Sequence, residues 1–517
     1  MKIPQVTTDA TLNVALDTLA HGKQALIFCS SKAASERQAE DIARCVKNVD
    51  LIALAEEAEH ALPSPTKQCE RLGKCVRRGI AFHHAGLHAR QRELIEEEFR
   101  HGHIKIICCT PTLAAGLSLP AFRSIIKDLK RYGGRFGMQY IPVLEYLQMA
   151  GRAGRPEYDT YGESICIAKT EEQTTELWET YIEGKPEAIY SKLAVEPVLR
   201  TYTLSLIATG YVRTKSDILG FFSETFWAHH FKDMDELERI IDSVLVQLVA
   251  WEFLTSPSHG ARDGFTSADQ LVGDDYRATM LGKRVAELYV DPWTAHEFVE
   301  ALGRSERVTL KLYSFLHLIC TANELRPLLT AKNKEWDIIN EKSGKEQPYL
   351  LVPEPPVYEV AFEDYLNAIK TASALEDWCD ERDDEYLLEH YDMRPGETRA
   401  KIDRGIWLLH CLSELARLLG KQDLVKEINK ANVRLEYGVR EELLALLKIQ
   451  GIGRVRARKL YAHKIKDIGD LTKMPLASLS QLLGPKIAAS IKKQLGEDVK
   501  EVPEGKRLGQ TSLKKYD

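Results

Sequence analysis

The residues best suited to chemistry lie in the stretch QMAGRAGRPEYDTYG, from Gln148 to Gly162. Arg152 and Arg155 stand three residues apart with only small residues between them, so both guanidinium groups project from one side of a turn. Arginine is always charged, and its planar fork matches phosphate oxygens two at a time. A salt-bridged arginine pair beside glycines is the plainer alternative, but the pattern favours binding of a polyphosphate.

A second candidate site is CTPTLAAGLSLPA, from Cys109 to Ala121, which follows an apolar run, Ile104–Cys109, that predicts a buried strand. Hydroxyl groups and backbone amides would then stand at the carboxyl edge of a parallel sheet, where open α/β sheets bind ligands. The stretch FHHAGL is weaker evidence, and its His83 and His84 are interpreted as surface histidines. No metal site is expected there, because adjacent side chains point apart and no third ligand is near.

Basic and aromatic residues are concentrated in two further stretches. In KRYGGRFGMQYI, Gly133-Gly134 predicts a tight hairpin turn flanked by basic and aromatic residues. A surface hairpin with incidental aromatics is the alternative. Arg404 and Trp407 stand three apart in a helix predicted from Pro395 to about Leu419. A tryptophan on that face can stack on a base, although its leucine neighbours leave a core position open.

The last hundred residues carry a basic excess. Residues 421–517 have a local charge of +9, whereas the whole chain has a net charge of −6. Composition alone leaves a solvated lysine-rich surface as an equal alternative. The run LKIQGIGRVRARKL adds a pattern, since Gly451 and Gly453 let backbone amides approach a phosphate and the arginines after them add salt-sensitive attraction. A looser second copy is indicated at Leu476–Leu495.

Length and composition limit the class of protein. The 517 residues are 44% hydrophobic and 28% charged, which suits several soluble cores in roughly three or four domains. No apolar run is long enough to span a membrane, and the first residues lack the pattern of a signal peptide. The ten cysteines include no Cys-x-x-Cys pair, so neither a disulfide scaffold nor a clustered zinc site is expected. A cytoplasmic protein without membrane partners is therefore expected.

Five segments are expected along the chain. Residues 1–185 alternate short apolar runs with helical ones and predict a parallel sheet with helices on both faces. Residues 186–300 suggest three helices and a small hairpin, as in a winged helix, and residues 301–420 are mostly helical. Residues 421–496 hold short helices, and residues 497–517 form a polar tail. The fold class is thus α/β followed by mainly α domains.

Four stretches in this order resemble known helicase motifs. ALIFCSSK, FHHAGL, TPTLAAGLSLPA and QMAGRAGRP are similar to motifs IV, IVa, V and VI of superfamily 2 helicases. The resemblance is strongest to the archaeal Hjm-type DNA helicases, whose metazoan relative is HelQ. It implies a second RecA-like domain, a winged helix, a helical ratchet domain and a helix-hairpin-helix domain, with ATP and Mg²⁺ as cofactors.

The resemblance also implies roles for the residues of motif VI. Arg155 would be the arginine finger on the γ-phosphate, with Arg152 beside it and Gln148 coupling the nucleotide to the domain interface. Ser118 stands where the family usually has Asn, which shortens the reach of that side chain in motif V. The remaining residues expected at the nucleotide interface are Gly116, Gly151 and Asp159.

The same resemblance implies a DNA path along the chain. A hairpin between motifs V and VI would split the duplex, a long helix would carry the single strand, and the helix-hairpin-helix would hold the backbone. The residues expected to contact DNA are Ser31, His84, Thr110, Thr112, Arg131, Tyr132, Phe136, Met138, Arg399, Lys401, Arg404, Trp407, Gly451, Gly453, Arg454, Arg456 and Arg458.

A phosphate-binding loop is missing from the sequence. None of the Gly-Lys pairs is followed by Ser or Thr, so the pattern GxxxxGK[ST] does not occur, and neither does an Asp-Glu-x-His box. The chain is therefore expected to begin at the second RecA-like domain, as a split-gene subunit or a truncated protein. It would share ATP and Mg²⁺ with a P-loop-containing partner and be inactive alone.

The polar tail contains a short docking pattern. Gln510, Leu513 and Tyr516 resemble the peptide that binds the sliding clamp PCNA, with two residues three apart as anchors for a hydrophobic groove. The final residue, Asp517, replaces the usual second aromatic. A disordered tail without a partner is an equal alternative.

The favoured function is the DNA-binding, power-transmitting half of an ATP-dependent 3′–5′ DNA helicase that acts on single-stranded and forked DNA. A nucleoid-associated location in the cytoplasm goes with it. One alternative is a non-catalytic, DNA-binding remnant of a helicase, against which the retention of both Arg152 and Arg155 speaks. The other is a fragment of a Ski-like RNA helicase, which the helix-hairpin-helix pattern disfavours.

Overall fold

The chain divides into two units. The first contains Met1–Tyr190 and Asp383–Ala400, and the second contains Ser191–Arg382 and Lys401–Asp517. A computed structural model describes residues 3–62, 64–116, 119–132, 137–155, 159–193, 196–231, 234–256 and 275–497. Within these ranges, no helix combines the length and apolar character needed to cross a lipid bilayer.

The first unit is built on a parallel sheet. Its strands are β1 (Ala25–Phe28), β2 (Ile80–His83), β3 (Ile106–Cys109), β4 (Arg123–Ile126), β5 (Lys130–Tyr132), β6 (Met138–Tyr140) and β7 (Glu163–Cys166). Five of them form one sheet in the order β2-β3-β1-β4-β7, and all neighbours are parallel. Strands β1 to β4 of this sheet are buried along their whole length, as continuous apolar runs indicate. The predicted α/β sheet is confirmed.

Helices join these strands. They are α1 (Ala10–Ala20), α2 (Lys32–Cys45), α3 (Ile52–Glu59), α4 (Lys67–Val76), α5 (Ala89–Arg100), α6 (Thr112–Gly116), α7 (Val143–Ala150) and α8 (Glu171–Leu177). Ser31 begins α2, because its side chain accepts a hydrogen bond from the Ala34 amide. Helix α2 follows β1, and a loop joins α3 to α4.

The second unit is largely helical. Its first helices are α9 (Glu196–Ala208), α10 (Lys215–Ser223), α11 (Phe226–Phe231) and α12 (Met234–Ala250), followed by a two-stranded antiparallel ladder of β8 (Leu254–Thr255) and β9 (Arg277–Ala278). Next come α13 (Met280–Leu288), α14 (Pro292–Arg304), α15 (Leu312–Thr321), α16 (Trp336–Glu346) and α17 (Val360–Cys379). Their buried residues belong to one hydrophobic core that extends from Leu199 to Leu435.

The next three helices of the chain are divided between the two units. They are α18 (Asp384–Tyr391), α19 (Pro395–Leu418) and α20 (Gln422–Tyr437). Helix α18 and the first residues of α19 belong to the first unit. There the backbone passes close to the FHHAGL stretch, and a Cβ on Gly396 would lie 2.3 Å from the Ala85 carbonyl oxygen. Only glycine fits this approach, in which the Gly396 amide donates to the Gly86 carbonyl.

A separate core holds the basic C-terminal helices. These are α21 (Arg454–Ala462), α22 (Ile468–Lys473), α23 (Leu476–Leu483) and α24 (Pro485–Gln494). Their core extends from Val439 to Ile491. Gly451 precedes α21 and Gly484 joins α23 to α24, and both glycines have φ of +89°. Both predicted glycine hairpins therefore lie where the sequence placed them.

Candidate functional site

Arg155 is engaged in a polar cluster inside the first unit. Its Nε donates to Asp159 Oδ2 at 2.7 Å, and its Nη1 donates to Gln24 Oε1 at 2.5 Å. Lys23 also donates to Asp159, at 2.6 Å. The Arg155 side chain keeps 17% of its surface exposed. The guanidinium thus lies at the surface but is already paired with a carboxylate.

The charge state of Asp159 follows from these partners. The hydrogen bond from Arg155 lowers the pKa of Asp159, burial opposes this effect, and Lys23 adds to the lowering. The carboxylate is therefore ionised at neutral pH and offers Arg155 the same kind of anionic partner that a phosphate would. To bind a phosphate, Arg155 has to exchange one oxyanion for another.

Arg152 connects motifs V and VI. Its Nη2 donates to the carbonyl oxygen of Ala114 in α6, and its backbone carbonyl accepts from the Ala121 amide at 2.9 Å. Its buried Nε has no hydrogen-bond partner among the described residues, so one donor of the guanidinium is unused. Gln148 near the end of α7 and Gly151 directly after it are both exposed. Motif VI therefore presents an exposed amide side chain beside two guanidinium groups that are engaged within the unit.

The carboxyl edge of the sheet gathers the residues that follow β1 and β3. Ser31 and Thr112 are exposed there, and the hydroxyl groups of Thr110 and Thr112 are 2.9 Å apart. The Thr110 amide donates to the His83 carbonyl, which ties the edge together. The placement of Ser31, Thr110 and Thr112 suits contacts with a ligand that crosses this edge.

His84 departs from the sequence interpretation. Both His83 and His84 are buried, so the expectation of surface histidines is wrong. Both ring nitrogens of His84 are engaged within the unit: Nε2 lies 3.0 Å from Glu36 Oε1, and Nδ1 accepts from the Gly86 amide. A side chain without exposed surface cannot reach DNA from this position. The predicted DNA contact at His84 is therefore corrected to a structural role.

Glu36 is the residue at this site that the sequence did not reveal. It is buried, and besides His84 it accepts hydrogen bonds from Gln68, at 2.8 Å, and from Arg71, at 2.8 Å. Arg394, at the end of the segment that joins α18 to α19, donates to it at 3.4 Å. Burial alone would raise the pKa of Glu36, but the hydrogen bond from His84 and the other donors lower it to about 2. The carboxylate thus binds four side chains around the FHHAGL stretch.

Glu36→Gln should destabilise the first unit. Removing the charge leaves Arg71 and Arg394 without their buried partner, which should reduce the free energy of unfolding by about 3–5 kcal/mol at pH 7. Because the pKa lies below its usual value of 4.5, the stabilisation by Glu36 exists above that pH and is lost as the pH falls toward 2. Urea unfolding at several pH values measures both effects.

The matched control is Glu57→Gln, which changes an exposed glutamate of α3 in the same unit. It should leave the unfolding curve unchanged at every pH. A constant difference between wild type and Glu36→Gln from pH 7 down to pH 2 would contradict the assigned ionisation of Glu36.

The predicted hairpin is present as an antiparallel ladder. Tyr132 pairs with Met138, so five residues join the two strands rather than the two expected at Gly133-Gly134. Met138 is exposed, and Arg131 is exposed while donating to Glu145 at 2.9 Å. Residues 133–136, which include Phe136, lie outside the described residues, as do Ser118 and the side chain of Tyr132, and Gly116 is the last residue of α6.

Helix α19 exposes two of the residues predicted to contact DNA, partly exposes a third and buries the fourth. Arg399 and Arg404 are exposed, and Trp407 is partly buried, with its indole N–H donating to the Leu288 carbonyl at 3.2 Å. Lys401 is buried and donates to the Pro327 carbonyl at 2.6 Å. Because this side chain is buried and its ammonium is held by a backbone carbonyl, its predicted DNA contact is wrong.

The arginines of α21 differ in availability. Arg456 is exposed and donates to the Gly451 carbonyl, whereas the Arg454 guanidinium lies 5.0 Å from the centre of the Trp378 ring. Arg458 donates to Glu381 at 2.7 Å and to Glu442 at 2.9 Å, and the Glu381 hydrogen bond raises its pKa. Two carboxylates already pair with this guanidinium, and the DNA contact at Arg458 stays a prediction.

The glycines before α21 lie as the helix-hairpin-helix pattern requires. Gly451 is exposed, and Gly453 is the residue directly before the helix, so backbone amides are presented at its start. The predicted clamp-binding residues Gln510, Leu513 and Tyr516 lie outside the described residues.

Three protein families match successive parts of the chain. "Helicase conserved C-terminal domain" matches residues 8–157, "Archaeal helicase, domain 4" matches residues 313–438, and "SAM-like Helix-hairpin-helix tandem" matches residues 443–497. The first match covers the sheet with Arg152 and Arg155, and the second covers α19. The third covers the separate C-terminal core.

Curated relatives match nearly the whole chain. A protein of Methanocella arvoryzae is 36% identical and one of Pyrococcus abyssi is 37% identical; each match covers 94–96% of this chain and 66% of the relative. A Methanococcus vannielii protein is 34% identical over 96% of this chain and 68% of its own length. Each relative bears the name ATP-dependent DNA helicase Hel308, and this chain spans about two thirds of their length. With motif VI, the archaeal domain 4 and the helix-hairpin-helix tandem in the same order, the chain belongs to the Hel308 family of archaeal superfamily 2 helicases.

Proposed function

We propose that this chain is the part of an ATP-dependent 3′–5′ DNA helicase that runs from its second RecA-like domain onward, and that it unwinds forked DNA. The observation that carries the proposal is the pair of guanidinium groups in motif VI. Arg155 is held at the surface by Asp159, and Arg152 has an unused donor beside α6. Family membership supports the same function.

ATP and Mg²⁺ fit the residues of motif VI in part. Arg155 would hold a phosphate by exchanging the Asp159 carboxylate for it, and Arg152 would hold a phosphate beside it. ATP supplies the phosphoryl group whose hydrolysis drives movement, and Mg²⁺ neutralises its charge. The 517 residues contain no P-loop, so the opposite wall of the pocket comes from another polypeptide segment, either a separate subunit or a preceding domain.

A reconstitution experiment tests this division of labour. The chain is mixed with a protein that carries the first RecA-like domain of a Hel308 relative, and ATP hydrolysis is measured with and without forked DNA. DNA-stimulated hydrolysis that neither component shows alone is expected. Hydrolysis by the isolated chain, or none by the mixture, would contradict the proposal, and the second result would favour a non-catalytic DNA-binding protein.

We further propose how the other segments serve DNA. The hairpin of β5 and β6 separates the two strands of the DNA duplex. Residues 186–300 form a winged-helix domain that supports the RecA-like domain. Helix α19, within residues 301–420, is the ratchet helix that contacts the single-stranded DNA. Residues 421–496 hold the backbone of the duplex or the fork. Met138, Arg399, Arg404 and Trp407 support this assignment because each has exposed or partly exposed surface.

Arg456→Gln should reduce the salt dependence of DNA binding. The exposed guanidinium of Arg456 releases one counterion when it neutralises a phosphate, so the slope of log affinity against log salt should fall by about 1. Arg458→Gln is the matched control, since its guanidinium is already neutralised by Glu381 and Glu442 and the slope should be unchanged. Fluorescence anisotropy with labelled forked DNA at several salt concentrations measures the slopes. An equal change in both variants would contradict this distinction.

We also propose that the tail binds the sliding clamp PCNA through Leu513 and Tyr516. The double variant Leu513→Ala/Tyr516→Ala should lose recovery on immobilised clamp while keeping its DNA affinity. Equal recovery of wild type and variant would contradict clamp binding through Leu513 and Tyr516.

A further inference from the structure

The end of helix α5 holds two histidines in fixed positions. The Gly102 amide donates to the Phe99 carbonyl at 3.1 Å, and the His103 amide donates to the Glu98 carbonyl at 3.0 Å. Gly102 has φ of +79°, so these bonds form the Schellman arrangement that ends many helices. The backbone of His103 is thereby held over the last turn of α5, which carries Glu98 and is followed directly by His101.

The side chains of these residues converge. Nδ1 of His103 lies 2.6 Å from Glu98 Oε2, and Nδ1 of His101 lies 3.5 Å from Glu98 Oε1. One ligand atom from each residue lies within 4.8 Å of the other two. Glu98 is 19% exposed, whereas His101 and His103 are 57% and 59% exposed. The cluster is thus open to solvent on the histidine side and anchored on the glutamate side.

We propose that Glu98, His101 and His103 form a zinc-binding site. Two imidazole nitrogens and a carboxylate oxygen suit Zn²⁺, and bond lengths of about 2.0–2.1 Å in a tetrahedral site place the ligand atoms about 3.3 Å apart. The two histidine nitrogens lie 2.6 and 3.5 Å from different oxygens of Glu98, and one ligand atom of each residue lies within 4.8 Å of the others, so rotations of the exposed side chains bring them to this spacing. Water completes the coordination of the ion.

The surroundings decide what such a site can do. Lys105 is the competing cation, since its Nζ lies 3.9 Å from the position of a Cβ on Gly102. Its ammonium sits on a flexible four-carbon stem and can turn into solvent, whereas the three ligands are fixed by the end of α5. The Lys105 amide donates to the Gly79 carbonyl at 2.7 Å, so the site is joined directly to the turn before β2.

The site is separate from the residues assigned to nucleotide and DNA. His101 and His103 precede the amino end of β3, whereas Ser31, Thr110 and Thr112 follow the carboxyl ends of the strands. Zinc at this position would therefore fasten the end of α5 to the start of β3 and stabilise the sheet. It would take no part in the chemistry of motif VI.

Isothermal titration of ZnCl₂ into the full chain tests the proposal. One equivalent should bind, and His101→Ala, His103→Ala and Glu98→Gln should each weaken the affinity at least about tenfold. Zinc should also raise the midpoint of thermal unfolding by about 2–4 °C in wild type and not in these variants. MgCl₂ should have neither effect, because Mg²⁺ prefers oxygen ligands.

The matched control is the double variant His21→Ala/His60→Ala. Both are exposed histidines at helix C-termini of the same unit, each with Nδ1 against the carbonyl four residues earlier, but neither belongs to the cluster. This variant should bind zinc as wild type does. Substitution with Co²⁺ should give a spectrum without a thiolate band, which excludes capture by the exposed Cys45. No zinc binding by wild type, or undiminished binding by all three ligand variants, would overturn the proposal.

Discussion

Arg155→Ala is expected to lower DNA-stimulated ATP hydrolysis of the reconstituted motor by about 10³–10⁵-fold, the range for removal of an arginine finger. The guanidinium would stabilise the charge that develops on the transferred phosphoryl group, and alanine offers no donor in its place. Affinity for single-stranded DNA should stay at the wild-type level, because Arg155 belongs to the polar cluster with Asp159, Lys23 and Gln24. Steady-state hydrolysis and DNA binding measured on the same preparation separate the two effects.

Two further variants define the cause. Arg155→Lys keeps the charge but loses the planar fork, so most of the hydrolysis should still be lost. Arg100→Ala removes an exposed arginine from the end of α5 and should leave hydrolysis unchanged. Continued hydrolysis by Arg155→Ala would show that the finger is another residue and would leave Arg155 as the structural partner of Asp159.

The contact between Arg155 and Asp159 explains how the side chain of an arginine finger can be held in position when no nucleotide is bound. Asp159 is buried and ionised, so it would be an unpaired buried charge if Arg155 left without replacement. Lys23 donates to the same carboxylate and can retain it when Arg155 turns away. The cluster therefore holds Arg155 in place, and it lowers the energetic cost when Arg155 moves from Asp159 to a phosphate.

The sheet and the helices were predictable because burial leaves a strong pattern. Strands β1 to β4 are continuous apolar runs, and glycine or proline marks both ends of α19. The order of the motifs then indicated the domain type, which the family matches support. Local sequence was sufficient to predict burial wherever the helix or strand that carries a side chain determines its surroundings.

Tertiary burial of polar residues was the part that the sequence did not reveal. Glu36 lies within α2 among polar residues, where glutamate normally faces solvent, yet its partners come from α4, β2's end and the segment before α19. His84 and Lys401 were misassigned for the same reason. For Lys401 the partner is the Pro327 carbonyl, which lies 74 residues away in the chain and leaves no local signal.

Trp407→Ala should reduce unwinding of forked DNA by about 5–150-fold while reducing ATP hydrolysis much less. A tryptophan that stacks on a base contributes about 1–3 kcal/mol, and this contribution is needed when the strand is pulled rather than when the phosphate is cleaved. Helix α19 places Trp407 on the same side as Arg404, with part of the ring at the surface. A strand-displacement assay and an ATPase assay under identical conditions give the ratio of the two losses.

Two comparisons separate stacking from packing. Trp407→Phe keeps an aromatic face but loses the hydrogen bond to the Leu288 carbonyl, so unwinding should largely recover if stacking is the cause. Trp336→Ala is the matched control, since Trp336 is also partly at the surface of the second unit and its indole N–H also donates to a carbonyl, that of Ala331. Trp407→Ala could instead reduce unwinding and hydrolysis equally, without recovery in Trp407→Phe. That result would assign Trp407 to packing against the hydrophobic core of the second unit, and α19 would then have no base-stacking residue at this position.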